Sequence, residues 1–83
     1  MNIKYTKIAA KTIENMDKPT KQRIKKAIEN LPRGDIKQLH GVDSLYRLRV
    51  GDLRVVFSYP EKNTVLIEKI SPRGDAYKGR LFL

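Results

Sequence analysis

Three arginines stand around one short turn, Arg47 and Arg49 before Gly51-Asp52 and Arg54 after it. Tyr46, Leu48, Val50, Leu53, Val55 and Phe57 fill the other phase of the alternation, the period-two signature of half-buried strands. Glycine supplies the positive φ that a two-residue hairpin loop requires. With that loop, Val50 faces Leu53, Arg49 faces Arg54, Leu48 faces Val55 and Arg47 faces Val56. Like charges set directly opposite each other destabilise a strand pair. At ~6 Å and an effective dielectric between about 20 and 80, the repulsion is on the order of 1–3 kcal/mol. A bound anion turns that penalty into affinity; without one, the two arginines splay into solvent. A following strand, antiparallel to Leu53–Tyr59, brings Ile70 and Ser71 beside Leu53 and Arg54. It delivers Arg73 to the same corner, with Tyr77 and Lys78 close behind. Four arginines and a tyrosine converging on one open face by register suit a bound anion.

Other chemistries find no support. Cysteine is absent and histidine occurs once, which removes disulfide scaffolds, thiolate metal sites and any Cys/His couple. There is no phosphate-binding glycine loop, no Ser/His/Asp set and no paired carboxylate on a helix face. No carboxylate is expected on the arginine face either. His40, in the loop ahead of the hairpin, reads as structural or solvated.

The 83 residues are expected to form one small domain, 1–83, and 40% apolar content is enough for a modest core. Eighteen Lys and Arg against nine Asp and Glu leave a formal charge of +9, which points to a polyanionic partner: nucleic acid, ribosome or a very acidic protein. The charges are not confined to one amphipathic helix, which argues against a membrane surface. Met1-Asn2-Ile3-Lys4 has no apolar run behind it, so a cytoplasmic protein is expected.

The elements that must position the arginines can be read in outline. Ile3 and Tyr5 suggest a short first strand. Ile8, Ala9, Ile13 and Met16 recur at helical spacing and predict a helix over about residues 7–16. Asp17 and Pro19 open a second helix, in which Ile24, Ala27, Ile28 and Leu31 form an apolar stripe. Lys21, Lys25, Lys26 and Glu29 take the outer side, and Lys25 and Lys26 are candidate RNA contacts. Pro32-Arg33-Gly34 stops this helix, completing a helical hairpin. After the Arg47–Arg54 hairpin, Pro60-Glu61-Lys62-Asn63 turns the chain into a strand over Val65–Ile70. The expected fold is α+β, in the order β-α-α-β-β-β: a twisted, mostly antiparallel sheet with the two helices packed on one face.

The segments Gln38-Leu39-His40-Gly41, Tyr46 to Phe57, and Ile70 to Lys78 resemble the RelE/ParE toxin superfamily, nearest its RelE branch. That resemblance implies a small toxin that cleaves mRNA, commonly in the ribosomal A site, and is held inactive by an antitoxin encoded beside it. It also implies metal-free, cofactor-free catalysis, with the ribose 2′-OH attacking its own 3′-phosphate. Matched by position, Arg47 and Arg49 take two basic strand sites where such toxins often carry lysine. Arg54 and Arg73 become phosphate clamps, and Tyr77 a base-stacking or proton-accepting group; Lys78 joins Lys25 and Lys26 as an RNA contact. The implied partners are mRNA, the ribosome and an acidic RelB-like antitoxin, in a heterodimer or heterotetramer.

Three departures from the RelE pattern stand out. Arginine stays protonated near neutrality and is a poor proton shuttle. Pro72 precedes Arg73, where many relatives have histidine. No helix is evident after Tyr77, and Leu81-Phe82-Leu83 is expected to pack across the sheet edge. A ParE-like inhibitor of DNA gyrase and a non-catalytic RNA-binding module of the same fold are therefore the alternatives.

Overall fold

The computed structural model describes residues 1–39 and 44–72. Strand β1 (Asn2–Tyr5) leads into helices α1 (Lys7–Glu14) and α2 (Lys18–Glu29), followed by β2 (Asp35–Gln38), β3 (Tyr46–Val50), β4 (Leu53–Glu61) and β5 (Thr64–Pro72). The five strands form one sheet in the order β1-β5-β4-β3-β2. The pairs from β2 through β5 are antiparallel, and β1 lies parallel to β5. The fold is the α+β architecture that the alternation and the helical stripe imply.

Each helix begins where a side chain can satisfy its first free N–H groups. Thr6 Oγ1 accepts from the Ala9 N–H at 3.1 Å and donates to the Glu68 carbonyl at 2.7 Å, so one hydroxyl caps α1 and ties it to β5. Asp17 caps α2 by accepting from the Thr20 N–H at 3.3 Å, with a proline in the first turn, where its missing N–H costs nothing. The helices bury Ala9, Ile13, Ile24 and Ile28, and with Leu31 these meet Leu48, Val50, Val55, Phe57, Val65, Ile67 and Ile70 from the sheet. Met16 and Ala27 pack at its margin. Ile8 does not join them: it is 68% exposed. Ala9, Ile13 and Met16 hold the inward i, i+4, i+7 positions, and Ile8 lies about 100° around the helix from Ala9. Helix α1 also ends two residues sooner than its spacing predicts, with Asn15 as its C-cap.

The sheet departs from expectation in three places. Strand β2 occupies a stretch whose Pro-Arg-Gly-Asp beginning reads as pure turn. It pairs with β3, setting Asp35 opposite Arg49, Ile36 opposite Leu48 and Lys37 opposite Arg47. Gly34 makes this approach possible: its φ is 126°, and a Cβ there would lie 2.8 Å from Leu48 Cδ1. Second, Pro60 and Glu61 belong to β4, so the turn contracts to Lys62-Asn63, with Asn63 at a φ of 64°. Asparagine tolerates that left-handed conformation better than most residues. Third, the last strand runs from Thr64 to Pro72, longer than Val65–Ile70. Its pairing with β4 shifts by one residue between Val56–Lys69 and Phe57–Ile67, leaving Glu68 as the extra residue of a bulge.

Candidate functional site

The β3–β4 hairpin has the register expected from its loop. Arg49 pairs with Arg54, Leu48 with Val55, Arg47 with Val56 and Val50 with Leu53. Leu48, Val50, Val55 and Phe57 face the helices, so Arg47, Arg49 and Arg54 lie on the opposite, open face. Strand β5 continues the row, placing Ser71 beside Arg54 and Lys69 beside Val56. Val56 is buried although it lies outside the helix-covered core; in register it is flanked by Arg47 and Lys69, whose aliphatic stems are suited to cover it. The Glu68 carboxylate accepts from Ser58 Oγ at 2.9 Å, which fixes the bulge.

A carboxylate does lie among the arginines, contrary to the expectation that this face has none. Asp35 Oδ1 is 3.3 Å from Arg47 Nη1, and Asp35 Oδ2 is 3.8 Å from Arg49 Nη1. Arg47 Nη1 also donates to the Asp35 main-chain carbonyl at 2.9 Å. The consequence differs for the two arginines. The Arg47 side chain is only 12% exposed and is bound to β2 twice over, whereas that of Arg49 is 42% exposed and held by one long ion pair. Arg47 therefore fixes the edge strand, and Arg49 is the one presented to solvent. Arg54 is half-buried, with its Nε shut away from solvent. The arrangement offers fixed positive charge on an accessible face, which suits an anion that spreads its charge over several oxygens.

The other predicted residues fall elsewhere. Lys25 and Lys26 are exposed on α2, in the helix layer on the other face of the sheet from the side chains of Arg47 and Arg54. Lys25 lines a cleft of about 260 Å³ with Tyr5, Ala10, Ile13, Glu14 and Lys21. Burial, and after it the Glu29 carboxylate, raises the Tyr5 phenol above its ordinary value there. Arg73, Tyr77, Lys78, His40 and the Leu81-Phe82-Leu83 segment lie outside the described residues. The described part of β5 reaches Pro72, opposite Leu53 and next to the Arg54–Ser71 pair.

Sequence reasoning missed two further cations at this corner. Arg33 and Arg49 line a cleft of about 190 Å³ with Asn30, Gly34 and Val50. Arg23, on α2, brings Nη1 to within 3.5 Å of where a Cβ on Gly51 would stand, beside the hairpin loop. Neither position carries a local signal: one follows a helix and the other sits on a helix that reads simply as basic. Among the described residues, no cluster of His, Asp or Glu could hold a metal ion, and no helix is long and apolar enough to cross a membrane.

A family profile described as the ParE toxin of the type II toxin–antitoxin system parDE matches residues 3–77. The chain belongs to the RelE/ParE toxin superfamily. Within that superfamily it is similar to RelE1 of Methanocaldococcus jannaschii, described as a toxin, at 32% identity over 93% of this chain and 94% of that protein. Among solved structures it resembles a chain of the archaeal RelE–RelB complex from Pyrococcus horikoshii OT3, with a TM-score of 0.73 and 31% identity. That match covers 88% of this chain and 94% of the other. A chain of the RelB–RelE antitoxin–toxin complex from Methanococcus jannaschii matches with a TM-score of 0.72 and 26% identity, over 89% of this chain and 94% of that one. The RelE/ParE relationship thus spans the helices, the β3–β4 hairpin and β5 together.

Proposed function

We propose that this chain is a RelE-like toxin of a type II toxin–antitoxin pair: a metal-independent endoribonuclease that cleaves mRNA on the ribosome and is neutralised by an acidic, RelB-like antitoxin. The observation that carries this reading is the cross-strand pair Arg49–Arg54 on the open sheet face. Two cations held opposite each other are unfavourable alone and favourable around a phosphate. In the reaction, the ribose 2′-oxygen bonds to phosphorus as the bond to the 5′-oxygen of the next nucleotide breaks, leaving a 2′,3′-cyclic phosphate and a 5′-hydroxyl. Charge builds on the equatorial oxygens, where Arg49, Arg54 and Arg73 would stabilise it. Tyr77 would stack on a base or accept the 2′ proton. The RelE–RelB complexes of the similar archaeal chains support the antitoxin assignment.

Inhibition of DNA gyrase is the second reading, and the ParE description of the matching profile favours it. Primer-extension mapping of mRNA in a bacterial translation extract separates the two. The nuclease reading expects cuts that require ribosomes, keep codon register and fade in Arg54→Ala and Arg73→Ala. Intact mRNA with growth arrest and loss of DNA supercoiling would replace it with the gyrase reading. Intact mRNA with no arrest would leave a binding module.

A further inference from the structure

We infer that Asp35 is a built-in competitor of the substrate phosphate: a positioning residue that pins Arg47 and holds Arg49 until an external anion takes it. The inference rests on the phosphate-binding reading of the arginine face and adds a residue that this reading does not require. Three observations carry it. Asp35 stands directly opposite Arg49 on the neighbouring strand, so the carboxylate is delivered by sheet register rather than by a mobile loop. Its two oxygens are divided between two arginines, Oδ1 with Arg47 at 3.3 Å and Oδ2 with Arg49 at 3.8 Å, much as two phosphate oxygens would be. The two links are unequal. The Arg47 guanidinium is secured independently by the Asp35 carbonyl at 2.9 Å, while the Arg49 guanidinium is held at β2 by the carboxylate, at 3.8 Å.

An incoming phosphate carries the same charge and can accept both N–H groups of a guanidinium face, which the single long contact to Asp35 does not engage. Arg49 therefore exchanges a weak internal partner for a better external one. Arg47 stays bound to β2 and acts as the fixed side of the site. Asp35 lowers the affinity of the face for any polyanion, and in doing so favours ligands that place a phosphate between Arg49 and Arg54 over those that merely approach a basic surface.

The test uses the full 83-residue chain prepared by chemical synthesis. Binding of a fluorescent single-stranded RNA oligomer is followed by anisotropy across a salt series. Asp35→Asn removes the charge and keeps an acceptor for Arg47. It is expected to bind about two- to fivefold more tightly, the weight of one partly exposed ion pair. Its salt dependence should steepen by about 0.7 in log–log slope, the signature of one more neutralised phosphate on a single strand. Asp35→Ser should behave alike, and adding Arg49→Ala should erase the gain in both. A merely structural Asp35 would instead give weaker binding, a lower melting temperature and an unchanged slope, and that pattern overturns the inference. Ribosome-dependent cleavage by the unsubstituted chain is scored separately. Cleavage with no gain in Asp35→Asn defeats this inference alone; a gain without cleavage defeats the nuclease reading and leaves Asp35 as competitor in place.

Discussion

Arg49 and Arg54 are register partners across the β3–β4 hairpin, on the face that the helices leave open. The loop that joins their strands is two residues long and begins with Gly51 at a φ of 60°, so the hairpin has no slack through which the pair could drift apart. Asp35 offsets part of the repulsion from one side, at 3.8 Å from Arg49. The face is thus strained toward binding negative charge while its scaffold stays well packed: Leu48 and Val55, the next pair along, are both buried in the core.

Stability and activity should therefore move apart at this pair. Arg49→Ala relieves a like-charge contact and is expected to leave the melting temperature unchanged or raise it, by less than about 1 kcal/mol of unfolding free energy. The same change should lower ribosome-dependent cleavage by about 10²-fold, the usual scale for removing one donor to a charged transition state. Thermal melts and primer extension on one preparation check both halves.

Arg47 should respond in the opposite manner. Its guanidinium is largely enclosed and bonded to the Asp35 carbonyl and carboxylate, so Arg47→Ala frees an edge strand. The expected loss is about 1–3 kcal/mol in chemical denaturation, with Arg47→Lys recovering part of it, since both bonds come from one nitrogen and an ammonium can supply them only from a shorter side chain. Hydrogen exchange at the Lys37 and Leu39 amides, which point toward β3, should quicken in both variants.

Thr6 links α1 to the bulge through a single hydroxyl, accepting from Ala9 and donating to Glu68. Thr6→Val keeps the shape and removes both bonds, at an expected cost of about 1–3 kcal/mol. Thr6→Ser should retain most of the stability. Denaturant titration of the three proteins is sufficient.

Acid sensitivity is expected from Asp17. Hydrogen bonds from the Thr20 side chain, and after them its backbone, hold this carboxyl below its ordinary value of 3.8. A carboxylate with a depressed folded pKa contributes stability that is complete above its unfolded value and is lost as pH falls through the folded one. The contribution should therefore persist at neutral pH and fade below about pH 4. Asp17→Asn, an equally good cap without a titrating group, should flatten the acid limb of melting temperature against pH. An acid limb of identical slope in the two proteins would remove Asp17 from the account.

Much of the site could be read from local pattern because its geometry is local. Gly51-Asp52 sets the hairpin register within a few residues, and register alone decides that Arg49 meets Arg54. The inward stripe of α2 is equally clear, since Ile24, Ile28 and Leu31 are all buried. Features set by distant contacts were not legible. Strand β2 has only four residues and follows a strong turn signal, and its pairing depends on β3 already being in place. Asp35 therefore looked like a turn residue rather than a neighbour of Arg47 and Arg49. Ile8 was misplaced because α1 has an apolar residue on each side of its true face, and only packing against β5 chooses between them. The bulge at Glu68 follows no residue preference; it appears when β5 is aligned with β4.

The sheet order has a consequence for how the chain comes into being. Strand β1 precedes the other described strands in the sequence, yet its neighbour is β5, the fifth of them, which also lies against β4. Until β5 has been synthesised, the first strand has no ladder to join, Thr6 lacks the Glu68 carbonyl, and Arg54 lacks the strand that carries Ser71. A nascent chain of this connectivity keeps β1 unpaired until its fifth strand is made. The arginine face is thus among the last parts of the described fold to be finished, and no truncated chain that stops short of β5 carries it whole.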